Sequence, residues 1–266
     1  SGGILQADDQ VNLTASYVSL GRAFLNPQQP QGVVTPFTKI QGSLAPFYFS
    51  PTYGAGSLTV KAKLIDVGIL SLQGMGQLNL IADNGAIRGD GVLDVAGSIY
   101  MRAAQIYPPT AVSFNIYAYD YSSGGSNHAG SVTIVGSGQQ ALPLSAGGTL
   151  GIYASEITQG GTLVAPFGTI NLGWDGIGGW DGAQTAPVDL ITNLSAPVTT
   201  HLTLAAGSVT SVSAVDPLTG QGLVIPYGVN LNGTSWIDPR GIDITGGGGP
   251  EKAVHLAALN VSTETG

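Results

Sequence analysis

Several residues in this chain are of types that do chemistry. Arg88-Gly89-Asp90 is an integrin-type tripeptide, and in a surface protein it would offer a paired cation and carboxylate to a host receptor. Its alternative is structural, because Asn84-Gly85 and Gly89-Asp90-Gly91 have the composition of chain corners. Trp174 and Trp180 stand in two Trp-Asp-Gly copies; exposed indoles there would stack on sugar rings or insert between fibres, and the alternative is a loop folding its rings back over the body. Asp83, Asp90 and Asp94 are candidate oxygen ligands for calcium, which takes six to eight. No nonapeptide Gly-Gly-x-Gly-x-Asp series supports such a site, so no metal or cofactor is expected. His128, His201 and His255 are far apart, and none has a second His at zinc spacing. Asn12, Asn193, Asn232 and Asn260 begin Asn-x-Ser/Thr sequons and are candidate glycosylation sites, although an Asn-, Ser- and Thr-rich chain generates such triplets by chance. There is no Gly-x-Ser-x-Gly nucleophile elbow; Gly136-Ser137-Gly138 reads as a loop.

The elements that would carry these residues are strands. Leu58-Thr59-Val60, Leu78-Asn79-Leu80, Ile99-Tyr100-Met101, Val132-Thr133-Ile134, Leu150-Gly151-Ile152 and Ile170-Asn171-Leu172 alternate with period two, and helix-forming stretches are scarce. Each strand follows a glycine and one variable residue. These glycines are Gly56, Gly76, Gly97, Gly130, Gly148 and Gly168, with Gly207 leading a later copy. Three copies extend to Gly-(Ser/Thr)-apolar-x-apolar-x-Ala-x-x-Ile, from Gly56 to Ile65, Gly97 to Ile106 and Gly148 to Ile157. A repeat of about 20 residues built from strands and glycine turns predicts an all-β fold: a single right-handed parallel β-helix, or β-solenoid, with loop insertions. One coil cannot bury its inward residues, whereas stacked coils spaced roughly 4.8 Å apart form a continuous apolar column. About 13 coils would make a rod on the order of 60 Å long. Ala62, Ala103 and Ala154 are expected to share one tight inner corner, and the leading glycines to align vertically.

The whole chain, 1–266, reads as one solenoid segment. Residues 21–55 carry five prolines and are less regular, and insertions are expected near 107–129, 173–186 and 213–250. The first insertion includes the aromatic run from Phe114 to Tyr121.

Composition narrows the function. The 266 residues are 43% hydrophobic and only 9% charged, with 41 glycines, no cysteine and a net charge of −8. Eight basic residues against sixteen acidic ones neutralise few phosphates, which argues against nucleic-acid binding. Without cysteine there is no disulfide, thiolate catalysis or Cys–zinc site. No apolar run is long enough for a transmembrane helix, so no membrane insertion is expected. The chain lacks an initiating Met and a basic, apolar leader, so it reads as an internal piece of a longer protein.

Asn79-Leu80-Ile81-Ala82-Asp83-Asn84-Gly85-Ala86-Ile87-Arg88-Gly89, Ala103-Ala104-Gln105-Ile106-Tyr107-Pro108, Pro143-Leu144-Ser145-Ala146-Gly147-Gly148-Thr149-Leu150, the run from Gln159 to Leu172, and Ala206-Gly207-Ser208-Val209-Thr210-Ser211-Val212 followed by Ile225-Pro226-Tyr227-Gly228 carry a family likeness. They resemble the repeat-rich passenger region of filamentous haemagglutinin-like large exoproteins of bacterial two-partner secretion. The resemblance implies a parallel β-helix, export through an outer-membrane two-partner transporter, and an extracellular or outer-surface location on a Gram-negative bacterium. It also implies a non-enzymatic adhesin, biofilm or extracellular-filament role. The partners it implies are further segments of the parent chain or identical subunits, stacked end to end or laterally, and surface glycans or receptors of host or neighbouring cells.

The alternative is a polysaccharide-active β-helix lyase or hydrolase. That chemistry needs paired carboxylates, or a basic residue beside a metal-bound carboxylate, aligned across coils. A 20-residue step puts Asp66 near Ala86 and Asp94 near Phe114, which pairs no acids. Lys61 and Arg102 fall at one frame position, and Tyr153 occupies it in the third copy.

Overall fold

The computed structural model describes residues 5–21, 50–177, 185–189, 191–223, 228–229, 236–237, 243 and 252–265. The chain is all-β, with no helix among these residues, and its principal sheet is parallel throughout. Val, Ile, Leu and Thr in short alternating runs favour strands that are too short to bury themselves and must pair with distant ones.

Strand pairing sorts into three stacks. In the first, Gln10–Thr14 pairs with Thr52–Lys61, which pairs with Leu70–Gly89, then Ser98–Tyr107, Ser131–Gly136, Glu156–Gly160, His201–Leu204 and Asn260–Thr263. The register places Val11, Leu58, Leu78, Ile99, Val132, Ile157, Leu202 and Val261 over one another. The second stack runs through Tyr17–Leu20, Leu64–Val67, the end of Leu70–Gly89, the end of Ser98–Tyr107, Thr162–Val164 and Val209–Ser211. The third joins Leu70 and Ser71 to Gly91–Ala96, Ser113–Tyr119, Thr149–Ala154, Thr169–Leu172 and Ala253–Leu256. Inward aliphatics of all three stacks form one core that includes Leu58, Ile65, Leu80, Leu93, Ile116, Ile152 and Leu202. Burying each such side chain contributes roughly 1.5–3 kcal/mol.

The uniform repeat is only locally true. Register steps in the first stack are 20 from Ser57 to Gln77 and 21 from Gln77 to Ser98, but 33 from Ser98 to Ser131 and 45 from Glu156 to His201. Gly56, Gly76, Gly97 and Gly130 do precede aligned strands of the first stack. Gly148 and Gly168 align with each other, but before strands of the third stack. The third extended copy is therefore out of frame with the other two. Ala62 and Ala103 share the first-stack frame, whereas Ala154 sits over Ala118 in the third. Tyr153 lies over Tyr117 and not in line with Lys61 and Arg102. Gly97 illustrates why glycine recurs: its φ is +143°, and a Cβ there would run into the carbonyl oxygen of Gly76 in the strand beneath.

Ser113–Tyr119 is a strand of the third stack and not insertion; Phe114, Ile116 and Ala118 point into the core. The antiparallel hairpin that follows, Tyr121–Ser123 with Ser126–His128, stands outside the parallel stacks. The stacks also differ in layer number. Ser131–Gly136 intervenes between Ser98–Tyr107 and Glu156–Gly160 in the first stack, yet in the second Leu163 pairs directly with Ile106.

Candidate functional site

In a parallel stack, residues that leave the core alternate with those that enter it. On most outer faces they are polar and exposed. The third stack is the exception, for Gly91–Ala96 is buried on both faces. Its register aligns Ser71, Asp94, Tyr117 and Tyr153 in one outer column. Tyr117 stacks on Tyr153 at 5.0 Å between ring centroids and lies parallel to Tyr119 at 5.8 Å. Val92, Tyr117, Tyr153, Trp174 and Ala196 form a second apolar cluster, with Tyr119, Ala186 and Ile191 against it.

The cover over this column is a strap that follows Trp174. Gly173 N–H donates to Ile152 O, and Thr199 N–H donates to Trp174 O at 2.7 Å. The Thr199 hydroxyl donates to Ala154 O at 2.7 Å, which fastens the end of the strap to the sheet. Within it a compact turn is closed by an antiparallel bridge between Val188 and Ser195. Asp189 organises that turn. Its carboxylate accepts Ile191 N–H at 2.8 Å and the Thr192 hydroxyl at 2.5 Å. An Asp followed three residues later by Thr is the local signal for such a turn.

This arrangement brings two carboxyl groups together. Asp94 is 1% exposed and Asp189 is 0% exposed. Burial, and next a hydrogen bond with Asp189, hold the Asp94 carboxyl well above the ordinary carboxylate range. Asp94 Oδ1 and the Tyr119 hydroxyl are buried with no conventional hydrogen-bond partner. An acceptor-only Asp94 facing another carboxylate would be uncompensated, whereas a protonated Asp94 donates to Asp189. Burial likewise pushes up the hydroxyls of Tyr117 and Tyr119, and that of Tyr153 to about 12. The 20-residue step misplaced Asp94. Its stack neighbour is Tyr117, not Phe114, and its carboxyl partner comes from an insertion 95 positions away that no repeat arithmetic reaches. Both carboxyl groups are buried beside the tyrosine column and Trp174.

The other candidate residues are dispersed. Asp66 stacks on Arg88 and not on Ala86. Arg88 Nε and Nη2 donate to Asp66 Oδ1 and Oδ2 at 2.8 and 2.7 Å, and the Tyr17 hydroxyl donates to Oδ2 at 2.9 Å. The Arg88 of the tripeptide is thus engaged by its own fold, Gly89 packs against the Phe114 ring, and Asp90 N–H donates to Val67 O as the chain turns a corner. Trp174 is 4% exposed, so its indole is not offered to a ligand; it packs with Val92, Tyr117, Tyr153 and Ala196, in keeping with the alternative of a ring folded back over the body. Trp180 lies outside the described residues. Asp83 pairs with Arg102 at 2.8 Å, away from the buried Asp94, and no group of three metal-binding side chains occurs among the described residues. His128 stacks on Tyr121, His201 meets Glu156 at 3.0 Å, and His255 meets Asn171 at 2.9 Å. Asn12, Asn193 and Asn260 are exposed, and Asn232 lies outside the described residues.

No protein-family model, curated protein or solved structure matches this chain. The reading of function rests on the geometry and on sequence character.

Proposed function

We propose that the chain is a non-enzymatic structural or adhesive segment of a secreted bacterial surface protein, its stacks wound as one right-handed parallel β-helix. The observation that carries this reading is the first stack, in which parallel pairing passes without a break through eight strands with one aliphatic column kept in register. Such a body gains length by adding rungs, which suits a rod better than a catalytic cleft. Outer polar ladders between rungs support it as well. Asn79 donates to Thr59 at 3.1 Å, and the Ser131 and Ser98 hydroxyls bond at 2.9 Å. They hydrogen-bond the outer faces without charge, in keeping with the 9% charged composition. The likeness to filamentous haemagglutinin-like exoproteins supports export by a two-partner transporter to the outer surface of a Gram-negative cell.

Stacking on identical subunits or on further segments of a parent chain belongs to the same proposal. Val254, Leu256 and Val261 occupy columns that are buried in the preceding strands, yet here they are 38%, 41% and 48% exposed. An apolar column left open at one end favours a further rung. The enzyme alternative gains nothing from Asp94 and Asp189, because a polysaccharide cannot reach them.

Imaging of native material, with diffraction from aligned specimens, tests the reading. Rods or filaments with an axial repeat near 4.8 Å are expected. Compact particles without that repeat would overturn the architecture. Unsaturated products from a panel of acidic polysaccharides, lost on a single Asp→Ala change, would overturn the non-enzymatic role.

A further inference from the structure

The outer face of the first stack is a polar ladder with an aromatic ring set in it. Its register places Ser98 between Gln77 and Ser131, and Tyr100 between Asn79 and Thr133. All six are half-buried and none is charged. Gln77 Nε2 donates to Asn79 Oδ1 at 3.0 Å, which holds both amides in set positions. Tyr100 belongs to neither apolar cluster, and its ring pairs with no other ring among the described residues. A second set of rings stands where these strands begin. Tyr53 lies against Gly76, where a Cβ would strike its ring, and stacks on Tyr121 at 4.0 Å between centroids. His128 continues the stack on Tyr121 at 5.0 Å. Tyr53 is 39% exposed, and His128 is exposed as well. Rings beside uncharged hydroxyls and amides suit sugars, whose C–H faces meet the rings while their hydroxyls meet the polar groups.

We propose that this face binds an extended, neutral, β-linked polysaccharide lying along the stack, with Tyr100 stacked on one sugar ring and Gln77, Asn79, Ser98, Ser131 and Thr133 hydrogen-bonded to the sugars beside it. The inference rests on the adhesive, stacked-rung reading above and names its partner. Rungs recur at roughly 4.8 Å, close to the rise per sugar of an extended β-linked chain, so successive rungs meet successive sugars. A straight run of parallel rungs fits such a ribbon better than a coiled α-linked chain. Charge selects the class further. The six positions hold no cation for a sulfate or carboxylate, and Arg102 in the adjoining column is taken by Asp83 at 2.8 Å. Glu156 on the rung beyond Ser131 adds a carboxylate, and the net charge of −8 repels an acidic chain.

Affinity electrophoresis of the intact chain in native gels cast with hydroxyethyl cellulose, dextran or alginate tests this. Retardation is expected from the neutral β-linked hydroxyethyl cellulose, and none from α-linked dextran or anionic alginate. Tyr100→Ala is expected to weaken the hydroxyethyl cellulose affinity about fivefold, the size of one ring stack, while Tyr100→Phe keeps it. Equal migration of the wild type in all three gels would overturn the polysaccharide face. So would equal retardation by alginate or dextran, or undiminished retardation of a folded Tyr100→Ala protein. Should that variant not fold, the comparison of the three gels decides alone. An axial repeat of about 4.8 Å in protein that no gel retards would sink this inference and leave the rod standing. Shortening of the polysaccharide during binding would instead overturn the non-enzymatic reading.

Discussion

Asp66 and Asp94 lie one stack apart, and both are nearly inaccessible, at 4% and 1% exposure. Their surroundings are opposite. Asp66 receives a two-point guanidinium clasp from Arg88 and a hydroxyl from Tyr17, so its charge is met by charge. Asp94 faces Asp189 instead, and burial, then that neighbour, favour its protonated form. The first pair sits where register brought complementary residues over one another, Asp66 directly on Arg88. The second depends on an insertion folding back. Register-built pairs are fixed by the core beneath them, whereas a pair built by an insertion depends on how that insertion folds back.

The largest effect should come from breaking the clasp. Arg88→Met leaves Asp66 buried with only a tyrosine hydroxyl and is expected to cost about 2 kcal/mol at neutral pH, less than a fully buried pair because the Arg88 side chain is one-third exposed. Urea unfolding measures it. An unchanged midpoint would mean that the two aspartates are not different in kind.

The next effect has a sign set by the raised Asp94 value. Folding favours the protonated form, so the contribution of this group is fully present below the unfolded carboxylate range of about 3.9 and is lost as pH rises through its folded value. Asp94→Asn should therefore raise the urea midpoint at pH 8 and leave it nearly unchanged at pH 4. A uniform loss at both pH values would place Asp94 in the same class as Asp66. The smallest effect is expected at Tyr119, whose buried hydroxyl has no partner of good geometry. Tyr119→Phe should change stability by less than about 0.5 kcal/mol, because removing an unsatisfied group carries little penalty. Thermal unfolding of the variant checks this.

Much of the strand content was legible in the sequence, because Leu58-Thr59-Val60 and its counterparts carry a period that only strands satisfy. The parallel pairing was legible too, in the glycine spacing from Gly56 to Gly97. The phase was not. Gly148 looks like Gly97 in sequence but opens a strand in another stack, since residues 137–148 leave the layer and return one face later. Short local motifs record what a turn needs, not which face it turns onto. For the same reason the aromatic run from Phe114 to Tyr121 reads as part of an insertion: its outward tyrosines break the polar alternation of an exposed face, and nothing in the run announces that a distant segment covers them. Asp189 was invisible because an Asx turn is common and its partner lies almost a hundred residues earlier.

The direct pairing of Leu163 with Ile106, beside a first stack that holds one more strand there, resembles an edge dislocation in a crystal. An extra half-plane wedged into part of a lattice cannot be smoothed away. The planes around it tilt, and the tilt persists however many perfect planes follow. A layer held by one stack and missing from its neighbour is such a half-plane, set in the chain where the twelve residues 137–148 step aside.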